Sequence, residues 1–361
     1  MDNNLLKIED LRVYFHSTHG EYKVVDGVNL TVGRQEILGL AGESGCGKST
    51  VVEAIMRLIR MPGYIKSGEI TFYPTVDQNA PPADAHMSGG VDLITLDEQA
   101  LQNVRWKYIS YVPQASMNSL NPVMRIESQM IDVILAHSTM KKTEARARAA
   151  EALALVGLPE AVLRAYPHEL SGGMKQRAII ANAMTLSPQL VICDEPTTAL
   201  DVNVQRAVLE AILQIKERTE ATVIFVSHDL AVHAELVDRL AIMYAGKIVE
   251  VQGVRELYRK PLHPYTQRLL SSVPTLGGAR VRQEAILGQA PDRLNWPTGC
   301  RFHPRCPFAL AKCKEVEPPL MQVESGHLVA CHLYSEGIPV AAVQPTIAQS
   351  LAESQKVDHV N

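Results

Sequence analysis

Nine consecutive residues, Gly42-Glu43-Ser44-Gly45-Cys46-Gly47-Lys48-Ser49-Thr50, restrict what this chain can fold into more than any other stretch. They fit the spacing G-x-x-x-x-G-K-[ST] in full, and both flanks fit its setting. Ahead of them, Glu36-Ile37-Leu38-Gly39-Leu40-Ala41 has the character of a short apolar strand. Behind them, Val51, Val52, Ala54, Ile55, Leu58 and Ile59 recur at helical spacing, which predicts a helix from Ser49. A strand that turns through glycines into a helix points backbone N–H groups inward around phosphates, and the helix-terminal amides add to the positive field. Lys48 is then set to reach β- and γ-phosphates, and the Ser49 hydroxyl to ligate Mg²⁺. Cys46 holds a variable position and serves through its backbone, with its thiol as a point of attack for reagents.

A second element matches the first in chemistry. Leu190-Val191-Ile192-Cys193-Asp194-Glu195 is an apolar strand ending in two acids. The first carboxylate is suited to hold Mg²⁺ through its water shell, the second to polarise an attacking water. Composition excludes other classes. Lys and Arg number 35 against 39 Asp and Glu, a net charge of −4, which argues against a protein that coats nucleic acid. No apolar run approaches the ~20 residues that span a bilayer. The opening MDNNLLKIED lacks a basic region followed by an apolar stretch, so the expectation is a chain that stays in the cytoplasm.

Between these elements, Leu6–Phe15 and Val24–Val32 alternate like β-structure, and Thr222–Val226 has the look of a buried strand. Residues 75–90 form a Pro-, Ala- and Gly-rich loop, and 122–186 are mostly helical. Within that span Lys141–Leu155 is a strong helix former with Thr143 as its expected cap. Leu240–Met243 and Lys247–Val251 make a strand pair around Ala245-Gly246. Beyond about residue 256 prolines multiply and periodicity fades, and 335–361 has the composition of a flexible tail.

Leu170-Ser171-Gly172-Gly173-Met174 narrows the class sharply, because it resembles the LSGGQ signature of the ATP-binding cassette (ABC) family, with Met174 in place of Gln. The rest of that family's series follows in order. Gln114 in Tyr111-Val112-Pro113-Gln114 fits the Q-loop, Ala199-Leu200-Asp201 the D-loop, and His228 in Val226-Ser227-His228-Asp229 the switch histidine. The resemblance covers roughly residues 4–255. It implies an α/β P-loop NTPase fold: a RecA-like core, an antiparallel β subdomain and a helical subdomain at about 115–185. It implies an ATP site built from Gly42, Ser44, Gly45, Cys46, Gly47, Lys48, Ser49 and Thr50, with Phe15 as the aromatic against adenine and Tyr14 and Tyr22 as rivals. Ser49, Asp194 and Gln114 are its Mg²⁺ contacts, Glu195 its general base, and His228 its sensor of the γ-phosphate. Ser171, Gly172, Gly173 and Asp201 act across a head-to-tail pair of cassettes.

The region after the cassette adds a subfamily. Pro261-Leu262-His263-Pro264-Tyr265-Thr266 carries an HPYT motif, and Cys300, Cys306, Cys313 and Cys331 crowd into 32 residues. This looks like the ATPase subunits of the dipeptide/oligopeptide permeases, over about residues 4–335. The resemblance implies two membrane permease subunits, a homologous second ATPase, an extracytoplasmic solute-binding protein, and a place on the cytoplasmic face of the membrane. Other solutes of the same class are oligosaccharides, glutathione and nickel complexes. A soluble ABC ATPase working on DNA repair, ribosomes or iron–sulfur assembly is the competing reading. The cysteine spacing, C-x5-C-x6-C-x17-C, lacks both the paired hooks of zinc ribbons and the ferredoxin pattern, and so leaves the metal open. The resemblance points to a [4Fe–4S] cluster in a small irregular domain over 256–334, with zinc as the fallback. Arg301, Arg305 and Lys312 are the expected balance for its thiolate charge, and His303 and His332 flank it.

Overall fold

The computed structural model describes residues 3–76, 87, 89–114, 117, 119–198, 200–271 and 291–334. Most of the 75–90 loop, Ala199 of the D-loop and the 335–361 tail lie outside the described residues.

The chain opens with two long strands, β1 (Asn4–Ser17) and β2 (Gly20–Gly33), joined by a tight hairpin. β3 (Ile37–Ala41) follows and runs through the glycine-rich loop into helix α1 (Lys48–Ile55). β4 (Gly63–Phe72) and β5 (Val91–Asp92) return to the first pair, giving an antiparallel sheet in the order β2-β1-β4-β5. Helix α2 (Glu98–Val104) and β6 (Ile109–Val112) lead into three helices: α3 (Ile126–His137), α4 (Lys142–Leu155) and α5 (Gly172–Ala183). Then come β7 (Leu190–Asp194), α6 (Val202–Arg218), β8 (Thr222–Val226), α7 (Leu230–Leu236), β9 (Arg239–Tyr244) and β10 (Lys247–Gly253). The remainder supplies α8 (Val254–Arg259), α9 (Pro264–Ser271), the single turn α10 (Lys312–Glu315), β11 (Met321–Glu324) and β12 (His327–Val329).

The second sheet runs β11-β12-β10-β9-β3-β8-β7-β6. Its inner strands are parallel and apolar throughout, as strands covered on both faces must be. Alternation sorts their side chains. Val191, Cys193, Val223 and Phe225 face the helices, while Leu190, Ile192, Ile224 and Val226 face the antiparallel sheet. All four parallel strands that carry candidate site residues therefore end at one edge, the usual place for a ligand in an open α/β sheet. Among the described residues no helix is long and apolar enough to cross a membrane.

Three expectations need correction. α1 stops at Ile55 although its apolar pattern continues to Ile59, because Arg57 adopts a left-handed conformation (φ 48°) that ends the helix. Thr143 does not cap α4. The cap residue is Lys141, whose N–H donates to the Glu144 carboxylate at 2.9 Å, and this leaves Thr143 inside the first turn. The stretch after residue 256 is not wholly irregular either. β12 pairs with β10 and β11 with β12, but strands of three and four residues are too short to show a period in sequence.

Glu250 on β10 fastens this late segment. Fully buried, it accepts from the Leu262 N–H (2.6 Å), the His263 N–H (3.0 Å) and His327 Nε2 (2.8 Å). Burial holds His263 down to about 3, so its ring is neutral and Nδ1 accepts from the Tyr265 N–H. Glu250→Ala strands these buried donors. It is expected to lower the unfolding free energy by about 3 kcal/mol in urea titration of the full chain. A loss below about 1 kcal/mol contradicts the anchoring role.

Candidate active site

The glycine loop is closed by backbone geometry that only glycine adopts freely: Gly42 has φ 150° and Gly47, at the entry to α1, φ 108°. Lys48 is buried beneath it, and its Nζ donates to the carbonyls of Gly42 (2.9 Å) and Glu43 (3.2 Å). The ammonium thus lies within the loop, with two carbonyl oxygens and the Cys46 sulfur (3.9 Å) as partners. Burial pushes the nearby Cys46 thiol up, in keeping with a backbone role for that residue. Ser44 and Gly45 are exposed at the mouth, and Thr50 lies in the first turn of α1.

Two strands away, the end of β7 meets the loop. The Ser49 hydroxyl donates to Asp194 Oδ1 (3.1 Å), and the Tyr111 hydroxyl donates to Oδ2 (3.2 Å). Burial raises the Asp194 carboxyl above its usual range, against the pull of these two donors. Burial raises Tyr111 as well, so it stays a donor. A hydroxyl and a buried carboxylate side by side are hard oxygen donors of the kind Mg²⁺ takes, and the residues fit that ion.

Glu195 follows in a left-handed conformation (φ 47°), a strain of about 1–2 kcal/mol for a residue with a side chain. Its N–H donates to the Val226 carbonyl at 2.9 Å and holds the turn against β8. Three neighbours converge on its carboxylate. Gln114 Nε2 (3.1 Å) and the Thr198 hydroxyl (2.9 Å) donate to Oε2, and His228 Nδ1 lies 3.4 Å from Oε1. The ends of β6, β7 and β8 thus bring Gln114, Asp194, Glu195 and His228 together. Thr198 and Tyr111 had no such role in the sequence reading.

The signature residues stand elsewhere. The Ser171 side chain caps α5 and accepts from the Met174 N–H (3.3 Å), while Asp201 caps α6 and accepts from Val204 (3.0 Å). Ser171 and Gly172 are exposed, and among the described residues no hydrogen bond ties Ser171 to the glycine loop. Phe15 packs its ring on Gly63 beside Ile59, whereas Tyr14 is buried with its hydroxyl donating to Asp26.

The ABC transporter family profile matches residues 25–198, and the profile for the oligopeptide/dipeptide transporter C-terminal region matches residues 249–313. The dipeptide transport ATP-binding protein DppD of Caldanaerobacter subterraneus subsp. tengcongensis is 39% identical over 93% of this chain and 99% of its own length. The chain belongs to the ATP-binding subunits of the dipeptide/oligopeptide ABC transporters. Another relative, the oligopeptide transport ATP-binding protein OppD of Bacillus subtilis, is 42% identical over 93% of this ABC subunit and 90% of its own length. A bacterial ABC transporter cassette solved as a dimer matches with a TM-score of 0.58 at 25% identity, over 69% of this chain and 99% of that one. The same cassette in a post-hydrolysis state with ADP and phosphate matches with a TM-score of 0.57. The chain is an ABC-type ATPase.

Its C-terminal region grips the nucleotide loop. Arg305 donates through both terminal nitrogens to the Glu43 carboxylate (3.0 and 3.1 Å), and the Tyr265 hydroxyl of the HPYT motif accepts from the Glu43 N–H (2.9 Å). Arg301 pairs with Asp26 and with the Ala245 carbonyl. These two guanidinium groups are therefore directed at the cassette rather than at the cysteines, which corrects the expected charge balance. The signal available in sequence was the position of Arg305 inside the cysteine group and of Tyr265 inside the motif. Neither points to Glu43 without the fold.

Cys300, Cys306, Cys313 and Cys331 are free thiols. The Cys300 N–H donates to the Cys313 carbonyl at 2.8 Å. Burial raises Cys300 and Cys331 and pushes Cys306 up to about 11, and Cys331 feels the charge of all three others. His303 Nδ1 and His332 Nε2 meet the carbonyls of Cys300 and Val316 instead. Among the described residues no group of three or more His, Cys, Asp or Glu side chains is arranged to hold a metal ion.

Gly173 carries a packing demand. A Cβ there would lie 2.5 Å from Val204 Cγ1, a stiff β-branched side chain on α6. Gly173→Ala is expected to destabilise the chain by about 1–3 kcal/mol. Adding Val204→Ala is expected to restore at least half of that loss in the same thermal unfolding series. Additive losses in the double variant contradict the contact.

Proposed function

We propose that this ATPase docks on two permease subunits at the cytoplasmic face of the membrane and drives uptake of di- or oligopeptides delivered by an extracytoplasmic solute-binding protein. The observation that carries this reading is near full-length identity to transport ATPases named for dipeptides and oligopeptides, with the C-terminal region matched as well. In this reading a homologous second ATPase packs head to tail with the chain. Exposed Ser171 and Gly172, at the start of α5 with Gly173, then present hydroxyl and N–H donors to a nucleotide in the partner, and Asp201 lies at the same seam. In the chain's own site, Lys48 exchanges the Gly42 and Glu43 carbonyls for phosphate oxygens. Phe15 is assigned to adenine. Ser49 and Asp194, with Gln114 nearby, hold Mg²⁺, which when bound neutralises charge on the β- and γ-phosphates. Glu195, oriented by Gln114, Thr198 and His228, takes the proton of the attacking water.

The experiment is reconstitution of the complex in proteoliposomes with a tripeptide and a trisaccharide as competing solutes. Peptide uptake coupled to ATP hydrolysis is expected, and preference for the sugar overturns the peptide reading. Glu195→Gln is expected to keep ATP binding and lower turnover by about 10²–10⁴-fold. An unchanged kcat removes Glu195 from the role of base.

The reading extends to a [4Fe–4S] cluster on Cys300, Cys306, Cys313 and Cys331. Cys313 and Cys331 are buried, Cys300 and Cys306 are partly buried, and the Cys300 N–H donates to the Cys313 carbonyl, which supports it. Such a cluster would cross-link a segment whose own apolar cluster is small, built around Leu262, Val329, Cys331 and Tyr334. Anaerobically purified protein is expected to be brown and to hold about four iron and four sulfide per chain. Colourless protein with stoichiometric zinc overturns the assignment.

A further inference from the structure

Arg293 lies across the mouth of the nucleotide loop. Its guanidinium fills the space where a side chain on Gly45 would begin: a Cβ there would collide with Nη2, with Cζ at 3.3 Å and Nε at 3.9 Å. The segment that carries it is anchored. Trp296 Nε1 donates to the Lys23 carbonyl (2.9 Å), and the Arg301 guanidinium sits 4.8 Å from the Trp296 ring centre. Pro291, Arg293 and Trp296 face Glu43–Cys46 across a cavity of about 50 Å³.

The charges at this place do not close on themselves. Arg293 is exposed, and among the described residues no carboxylate or carbonyl accepts from it. The one acid in the loop, Glu43, has both oxygens on Arg305. Lys48, the other cation of the loop, is buried and meets the Gly42 and Glu43 carbonyls and the Cys46 thiol. Arg293 thus lies against the outer edge of the loop with no acceptor among the described residues. A planar guanidinium with five donors matches phosphate oxygens better than any other side chain does. Gly45 lies within the phosphate-binding loop, so a cation laid on it stands beside the loop's ligand space.

We propose that Arg293 is a phosphate-contacting residue of the ATP site, supplied by the C-terminal region of the same chain. The C-terminal region then contributes to nucleotide affinity directly, besides bracing the loop through Arg305 and Tyr265. Only a ligand with β- or γ-phosphates benefits, because the loop's amides are built around those groups.

The test is calorimetric titration of the full chain with ATP, ADP and AMP in the presence of Mg²⁺. Arg293→Ala is expected to weaken ATP binding about tenfold, the lower range for charge-assisted hydrogen bonds at an open site, and to leave AMP within about twofold. Arg293→Lys is expected to recover most of the loss and Arg293→Glu to exceed it. Thermal midpoints should match the parent, since the side chain is exposed. Unchanged ATP affinity in both the Ala and Glu variants overturns the proposal. So does tighter binding in Arg293→Ala, which marks an obstructing side chain, or equal losses for ATP and AMP, which mark a packing role.

Discussion

The close seating of the nucleotide loop against two strands is the constraint on which the rest depends. A Cβ on Gly42 would collide with the Met243 carbonyl of β9, and one on Gly47 would lie 2.7 Å from the Val24 carbonyl of β2. The turn after β9 locks the same place, since the Gly246 N–H donates to the Cys46 carbonyl and the Asp26 N–H to the Gly246 carbonyl. The loop, the parallel sheet and the antiparallel sheet therefore move as one unit. A residue with a side chain at either glycine pushes the two sheets apart, whatever it does to phosphate binding.

From that seat the order of the parallel strands sets the chemistry. β3 lies between β9 and β8, and β7 follows β8. The loop at the end of β3 and the acids at the end of β7 are thus held a strand apart, close enough for Ser49 to reach Asp194. β6 and β8 flank β7, so Gln114 and His228 approach Glu195 from opposite sides. The strained backbone at Glu195 persists because strand pairing on both sides leaves it no alternative.

The C-terminal region is joined to this unit by charge as much as by apolar packing. Glu250, Asp26 and Glu43 each receive donors from beyond residue 260, and Phe302 adds a buried ring against Tyr244 and Tyr265. Arg301 and Arg305 lie in the stretch bounded by Cys300 and Cys306, so the chain that carries these cysteines also meets Asp26 and Glu43. The HPYT motif works the same way: a neutral His263 and a protonated Tyr265 turn a short helix into a brace under the loop.

Features that depend on neighbours along the chain can be read from the residues alone. The loop Gly42–Thr50, the acid pair at the end of an apolar strand, the run Leu170–Met174 and the buried strands are all written in spacings of a few residues. Backbone geometry and periodicity act at that range, so those elements were legible. Contacts between residues far apart in the chain emerge only once the fold is known. Arg305 meets Glu43 across 262 positions, Trp296 meets Lys23 across 273, and Tyr111 meets Asp194 across 83, once β6 and β7 align. The same reason explains the misplaced arginines. Beside the cysteines in sequence, they find partly buried carboxylates of the cassette in space, and strand pairing, not sequence proximity, sets which charge a guanidinium can reach.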